Sequence, residues 1–113
     1  MYGDYIELTG PNCETDIVAA LVRLLDPIEV HGGVRSVPVL AVAGDVEIFV
    51  DECDDGLVLL AIAELGTDAR RRRAGARWVY ETLARLTRWS LHWTADDVEG
   101  VIASRSAVSA GGL

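Results

Sequence analysis

The sequence predicts an α+β fold, a mainly antiparallel sheet of four to six strands with two helices packed on one face, in the order β-α-β-β-β-α-β(-β). Three observations predict it. Residues 33–66 are a largely apolar stretch interrupted at Gly44-Asp45 and Asp55-Gly56, dipeptides suited to the positive φ of tight connections. On either side of this meander lies a segment whose apolar residues recur every three or four positions, the spacing of one helix face. The chain has 113 residues, which fit one domain and leave little room for a second core, so both helices are expected on the same sheet.

The first strand is DYIELTG, in which Tyr5, Glu7 and Thr9 alternate with Ile6 and Leu8 until Gly10-Pro11 stops the run. Asn12 reads as a helix N-cap, with Glu14 and Asp16 in the first turn, where the helix dipole favours negative charge. That helix runs through Ile17, Ala20, Leu21, Leu24 and Leu25 and ends before Pro27. The meander then supplies three strands. Thr67 and Asp68 are the next capping candidates, and Ala76, Val79, Tyr80, Leu83 and Leu86 form the second apolar stripe. SLHWT returns to strand. In TADDVEGVIASR, Thr94 and Asp97 have the spacing of a capping box, yet EGVIASRSA alternates and Gly100 sits mid-run, so a strand hairpin is expected. Residues 1–108 are expected to form a single domain and 109–113 a flexible tail of small residues.

Charge divides the chain. Residues 1–69 hold 14 acids against Arg23 and Arg35, whereas residues 70–113 hold eight arginines against four acids, for a net charge of −8. All ten basic residues are arginine, as a GC-rich bacterial coding bias would give. Phosphates are repelled by such a negative chain until counterions screen them, so nucleic acid and anionic membrane are disfavoured partners and a basic protein is favoured. No apolar run reaches the roughly 20 residues needed to cross a bilayer, and MYGDYIELTG has neither a basic nor an apolar leader region, which predicts a cytoplasmic protein. Two cysteines, Cys13 and Cys53, are too few for a disulfide-stapled scaffold and are read as reduced.

The stretch FVDECDDGLVLL, residues 49–60, places Asp51, Glu52, Asp54 and Asp55 within five positions with no basic neighbour. Asp-x-x-x-Asp-Gly opens like a calcium loop, but Cys53 and Ile62 stand where its third and twelfth ligands belong, so no metal is expected. A solvated hairpin turn is the plain reading. The other is a contact surface whose self-repulsion is relieved when a partner's cations arrive. DARRRRAGARW is the opposite pole, where Arg70, Arg73 and Arg77 share a helix face and Arg77, Glu81 and Arg85 have pairing spacing. It reads as a solvated face, a phosphate or RNA contact beside Trp78, or an internal counter-charge for the acids. His31 and His92 lack metal-site spacing, and no nucleophile elbow, phosphate loop or zinc-protease motif occurs, so neither cofactor nor catalysis is expected. Asp96 and Asp97 are adjacent, and on a strand they would face opposite ways, which spoils an acid/base dyad. Trp78, Trp89 and Trp93 are read as core closing the second helix onto the last strands.

A short acidic α+β chain whose carboxylates cluster in DECDDG and the preceding GDVEIF, with no catalytic constellation, resembles the immunity proteins of contact-dependent growth inhibition and other polymorphic toxin systems. The resemblance is one of size, charge and architecture across the whole chain, and no family residue maps onto a position of this sequence. It implies a protein that binds a cognate toxin domain, often a basic nuclease, and covers its active site. Asp45, Glu47, Asp51, Glu52, Asp54 and Asp55 are the expected partner-binding residues, in a monomer or weak homodimer. The competing expectation is a non-catalytic regulatory or small-ligand-binding homodimer, joined through a sheet edge with the helices framing a pocket.

Overall fold

Alternation gives each strand an inner and an outer side, and the pairing of the strands brings the inner sides into one surface. The structure, a computed structural model, describes residues 2–9, 17–32, 37–52, 56–66 and 68–106. Its elements are β1 (Asp4–Thr9), α1 (Ile17–Leu25), β2 (Glu29–His31), β3 (Val39–Val42), β4 (Val46–Glu52), β5 (Val58–Glu64), α2 (Ala69–Leu86), β6 (Ser90–Ala95) and β7 (Val98–Arg105). They form one antiparallel sheet in the order β2-β3-β4-β5-β1-β6-β7. The two helices and the antiparallel sheet are as expected; the sheet has seven strands rather than four to six. The additional one is β2, whose three residues are all exposed and carry no alternation to betray it.

Ile6 and Leu8 of β1, Leu40 and Val42 of β3, Val46, Ile48 and Val50 of β4, Val58, Leu60 and Ile62 of β5, and Leu91 and Trp93 of β6 are buried on one face. Ile17, Leu21 and Leu25 of α1 and Ala76, Val79 and Leu83 of α2 close over them in the same cluster, so α1 and α2 both cover this face and neither covers the other face. The α1 helix stops where expected: Asp26 takes a left-handed φ of 47°, its N–H bonds to the Val22 carbonyl at 2.9 Å, and Pro27 follows. The β3–β4 connection uses the positive φ of Gly44 (83°) and Asp45 (60°) foreseen for that dipeptide. The expected final hairpin is present as β6 and β7. Asp96 and Asp97 therefore stand in its turn, not within a strand. Asn12, Cys13, Glu14, Asp16, Cys53, Asp54, Asp55, Thr67 and the 109–113 tail lie outside the described residues.

Of the two capping candidates before α2, Asp68 is the N-cap, its carboxylate accepting from the N–H groups of Arg70 at 3.0 Å and Arg71 at 3.2 Å. Replacing it with alanine removes two acceptors and a favourable charge at the helix start, for an expected loss of about 1 kcal/mol in urea denaturation. At the other end of α2 the Arg105 guanidinium, reaching in from β7, donates to the carbonyls of Ala84, Thr87 (3.1 Å) and Trp89 (2.6 Å). A cation thus satisfies the carbonyls that a helix leaves unpaired at its C-terminus. Leu86, counted in the apolar stripe, is instead 52% exposed, and Arg72 takes a buried place on α2 that a run of four arginines does not advertise.

Candidate functional site

The odd-numbered positions of β4 and β1 and their register partners make up the helix-free face of the sheet. Across it runs a row of paired residues, His31, Val39, Phe49, Ala61, Tyr5 and Thr94, one from each strand from β2 to β6. On one side of that row Glu29 pairs with Ala41, Ala41 with Glu47 and Glu47 with Ala63. On the other side Asp51 pairs with Leu59, Leu59 with Glu7 and Glu7 with His92. The result is an apolar central row, Val39, Phe49 and Ala61, flanked by rows in which Ala41, Ala63 and Leu59 alternate with the carboxylates of Glu29, Glu47, Asp51 and Glu7. A depression of about 170 Å³ lies at its edge, lined by Tyr2, Gly3, Tyr5, Phe49, Ala61, Ile62 and Ala63.

Charge is segregated between the faces. The described arginines lie on α1 (Arg23), on α2, in the connection after it (Arg88) and at Arg105, which pairs with the buried Leu91 and so points to the helix side. None occupies an outward position on the helix-free face. Among the described residues the groups there that can become cationic are His31, whose Nε2 lies 2.8 Å from Glu29, and His92. Among the described residues Glu7, Glu47, Asp51 and Glu52 have no ion pair within 4.0 Å.

The expected acidic site is therefore redistributed. Glu47 and Asp51 share the open face, about 13 Å apart along β4 at strand rise. Asp45 stands in the β3–β4 turn at the far end of that strand, with Arg71 of α2 at 4.0 Å. Glu52 is exposed at the strand end on the alternate side from Asp51, and Asp54 and Asp55 lie outside the described residues. Glu7 and Glu29, missed in the sequence, reach the same face through register. Their signal was the alternation of β1 and the apolar character of both sides of VLLAIAE, a pattern usual where both faces of a strand are covered.

The arginine-rich helix does not neutralise that face. It serves a different set of acids. Asp4, with no solvent exposure, accepts from Arg72 Nε at 2.6 Å, Arg73 Nε at 2.7 Å and Trp93 Nε1 at 2.8 Å. Asp97 in the β6–β7 turn accepts from the terminal nitrogens of Arg72 at 2.7 Å and Arg73 at 2.5 Å. Asp96 beside it accepts from the Gly3 N–H at 3.0 Å and the Tyr5 hydroxyl at 2.8 Å, which, with partial burial, raises the Tyr5 pKa above the ordinary phenol value. Burial works against the Arg72 charge, but the bonds to Asp4 and Asp97 outweigh it and hold the guanidinium more firmly protonated than usual. This network rivets α2 to β1 and the last hairpin. Each Asp4 oxygen accepts a guanidinium N–H.

Partial desolvation pushes the Asp97 pKa up, but its own backbone N–H and the Arg72 guanidinium, with Arg73 adding charge, bring it below the ordinary carboxylate value. A depressed folded-state pKa gives stability that is present above the unfolded value and is lost as pH falls through the folded one. Acid titration of wild type should therefore show stability falling below about pH 4. Asp97→Asn should flatten that slope, and an unchanged slope would remove Asp97 as its source.

The arginine stripe is also poorly free for phosphate. Arg73 is engaged by Asp4 and Asp97, Arg77 lies 5.7 Å over the Trp93 ring, and Asp97 itself lines the adjoining cleft with Arg70, Arg73 and Arg77. The expected Arg77–Glu81–Arg85 pairs do not form. Trp93 is buried and Trp89 partly buried, as expected of core, while Trp78 is 44% exposed. It borders a groove of about 600 Å³ between α2 and the β3–β4 turn, lined by Val42, Ala43, Gly44, Arg71, Ala74, Gly75 and Trp78. Among the described residues no three His, Cys, Asp or Glu side chains gather as metal ligands, and no helix is long and apolar enough to cross a membrane. No protein-family model, no curated protein and no solved structure matches the chain.

Proposed function

We propose that the protein is a non-catalytic inhibitor that binds a basic toxin domain of the nuclease type and neutralises it in the cytoplasm, as immunity proteins of polymorphic toxin systems do. One observation carries this reading: the carboxylates of Glu7, Glu29, Glu47 and Asp51 share a helix-free sheet face on which no arginine stands among the described residues. A field of one sign over a low-dielectric surface raises the encounter rate with a basic partner by about 10 to 1,000-fold. The deciding experiment is co-expression with the product of the adjacent upstream gene. A one-to-one complex and relief of its toxicity are expected; a toxin-like neighbour that neither binds nor is inhibited overturns the reading. Within such a complex the association rate should drop at least several-fold between ~10 mM and ~150 mM salt, as the Debye length shrinks from about 30 to about 8 Å. Stopped-flow mixing measures it.

The groove beside Trp78 favours a second reading, a small-ligand-binding regulatory homodimer, because its volume of about 600 Å³ is that of a ligand site. That reading requires a stable dimer in light scattering and indifference to basic partners.

A further inference from the structure

We propose that the open sheet face itself is the docking surface, and that it takes a basic protein whose contact patch has an apolar centre seated on Phe49 and Leu59. The inference deepens the neutralising reading and rests on it. β5 is the fourth strand of seven, the middle of the sheet, and it carries Leu59, Ala61 and Ala63 on the side that neither α1 nor α2 covers. A sheet face meant for water alternates to polar residues at such positions. Here Phe49, Val39 and Ala41 from β4 and β3 and Tyr5 from β1 extend the apolar ground.

The surface is large enough. Seven strands at about 4.8 Å spacing and some 20 Å in length give a face on the order of 600 Å², close to the ~800 Å² that one partner contributes to a standard interface. Its charge selects the occupant. A second copy laid face to face would set Glu7, Glu29, Glu47 and Asp51 against their own kind, and like charges across an interface are strongly unfavourable. A partner with guanidinium or ammonium groups around an apolar centre meets both features at once. Rim carboxylates then set the rate of approach, and burial of Phe49 and Leu59 sets the lifetime.

The test needs no knowledge of the natural partner. A synthetic peptide alternating arginine and tryptophan, about eight residues and so about 27 Å when extended, spans most of the sheet. It is titrated into the full chain and followed by methyl and indole NMR, with an all-arginine peptide of equal length beside it. Shifts are expected at the open-face methyls of Ala41, Leu59, Ala61 and Ala63, and not at Ala74 or the Trp78 indole of the α2 groove. Phe49→Ser and Leu59→Ser should each weaken the arginine–tryptophan peptide by at least about tenfold while changing the all-arginine peptide less than about twofold. Ala61→Gln, polar but uncharged, is the substitute if either variant fails to give a native circular dichroism spectrum. Shifts confined to Ala74 and Trp78, no shifts, or unchanged affinity in folded variants overturn the proposal. A toxin that binds Phe49→Ser as tightly as wild type removes this surface and leaves the neutralising function; a toxin-like neighbour that does not bind, with the peptide still mapping to the open face, does the reverse.

Discussion

Asp4→Ala is expected to destabilise the protein by about 3–5 kcal/mol, the cost of breaking a buried charge pair by removing one partner. The magnitude follows from what is left behind. Arg72, its side chain 7% exposed, keeps Asp97 but loses the carboxylate at 2.6 Å, and the Trp93 indole N–H is left buried without its acceptor. For a domain near 100 residues, 1 kcal/mol corresponds to about 4 °C or more in melting temperature, so thermal melts at pH 7 should show a drop of at least ~12 °C. A loss below about 1 kcal/mol would mean that solvent reaches the network.

The same geometry predicts how the loss is recovered. In Asp4→Leu/Arg72→Met both buried charges go, while Arg73 and Asp97 keep their contact at 2.5 Å, so no isolated charge remains in the interior. Buried ion pairs replaced by apolar groups of similar volume are often neutral or stabilising. The double variant should therefore recover most of the deficit, save about 1–3 kcal/mol for the orphaned indole donor. Adding Trp93→Phe removes that donor. Such a recovery would show that the network holds a particular docking of α2 on the sheet more than it adds net stability.

Where an element has a period, the residues announce it. α1 and the inner sides of β1, β4 and β5 were legible because their apolar residues recur at helical or strand spacing and because Pro27 and Gly44-Asp45 punctuate them. β2 was not legible: Glu29, Val30 and His31 are all exposed, and the strand exists through its pairing with β3 alone. Nor was the burial of Arg72, since four successive arginines point round the whole helix and it is the Asp4 carboxylate, 68 positions away from Arg72, that draws Arg72 and Arg73 inward. The acidic surface was legible in part. Glu47 and Asp51 came from a local run of acids, but Glu7 and Glu29 join them through strand register, which no local reading contains. The local run also promised one dense knot, whereas β4 separates Asp45 from Asp51 by about 20 Å of strand.

Gly75→Val offers the sharpest conflict between a local rule and the packing. Glycine inside a helix is unfavourable by about 1 kcal/mol relative to alanine, so by propensity alone almost any replacement at mid-α2 should help. Yet a Cβ at Gly75 would stand 2.9 Å from Val46 Cγ2 and 3.0 Å from Cγ1, and Val46 is buried at the start of β4 with one stiff, branched rotamer. The helix approaches the sheet this closely because nothing projects from residue 75. Gly75→Val adds three carbons into that contact and is expected to cost about 3 kcal/mol, the upper part of the overpacking range, while Gly75→Ala should lose about 1 kcal/mol instead of gaining it. Val46→Ala in the Gly75→Val background clears the space. The two substitutions should then couple favourably by at least ~1 kcal/mol in a double-mutant cycle read by urea denaturation. Simple additivity would mean that the clash is relieved by a shift of α2 away from β4, and the groove lined by Val42, Ala74 and Trp78 would then widen with it.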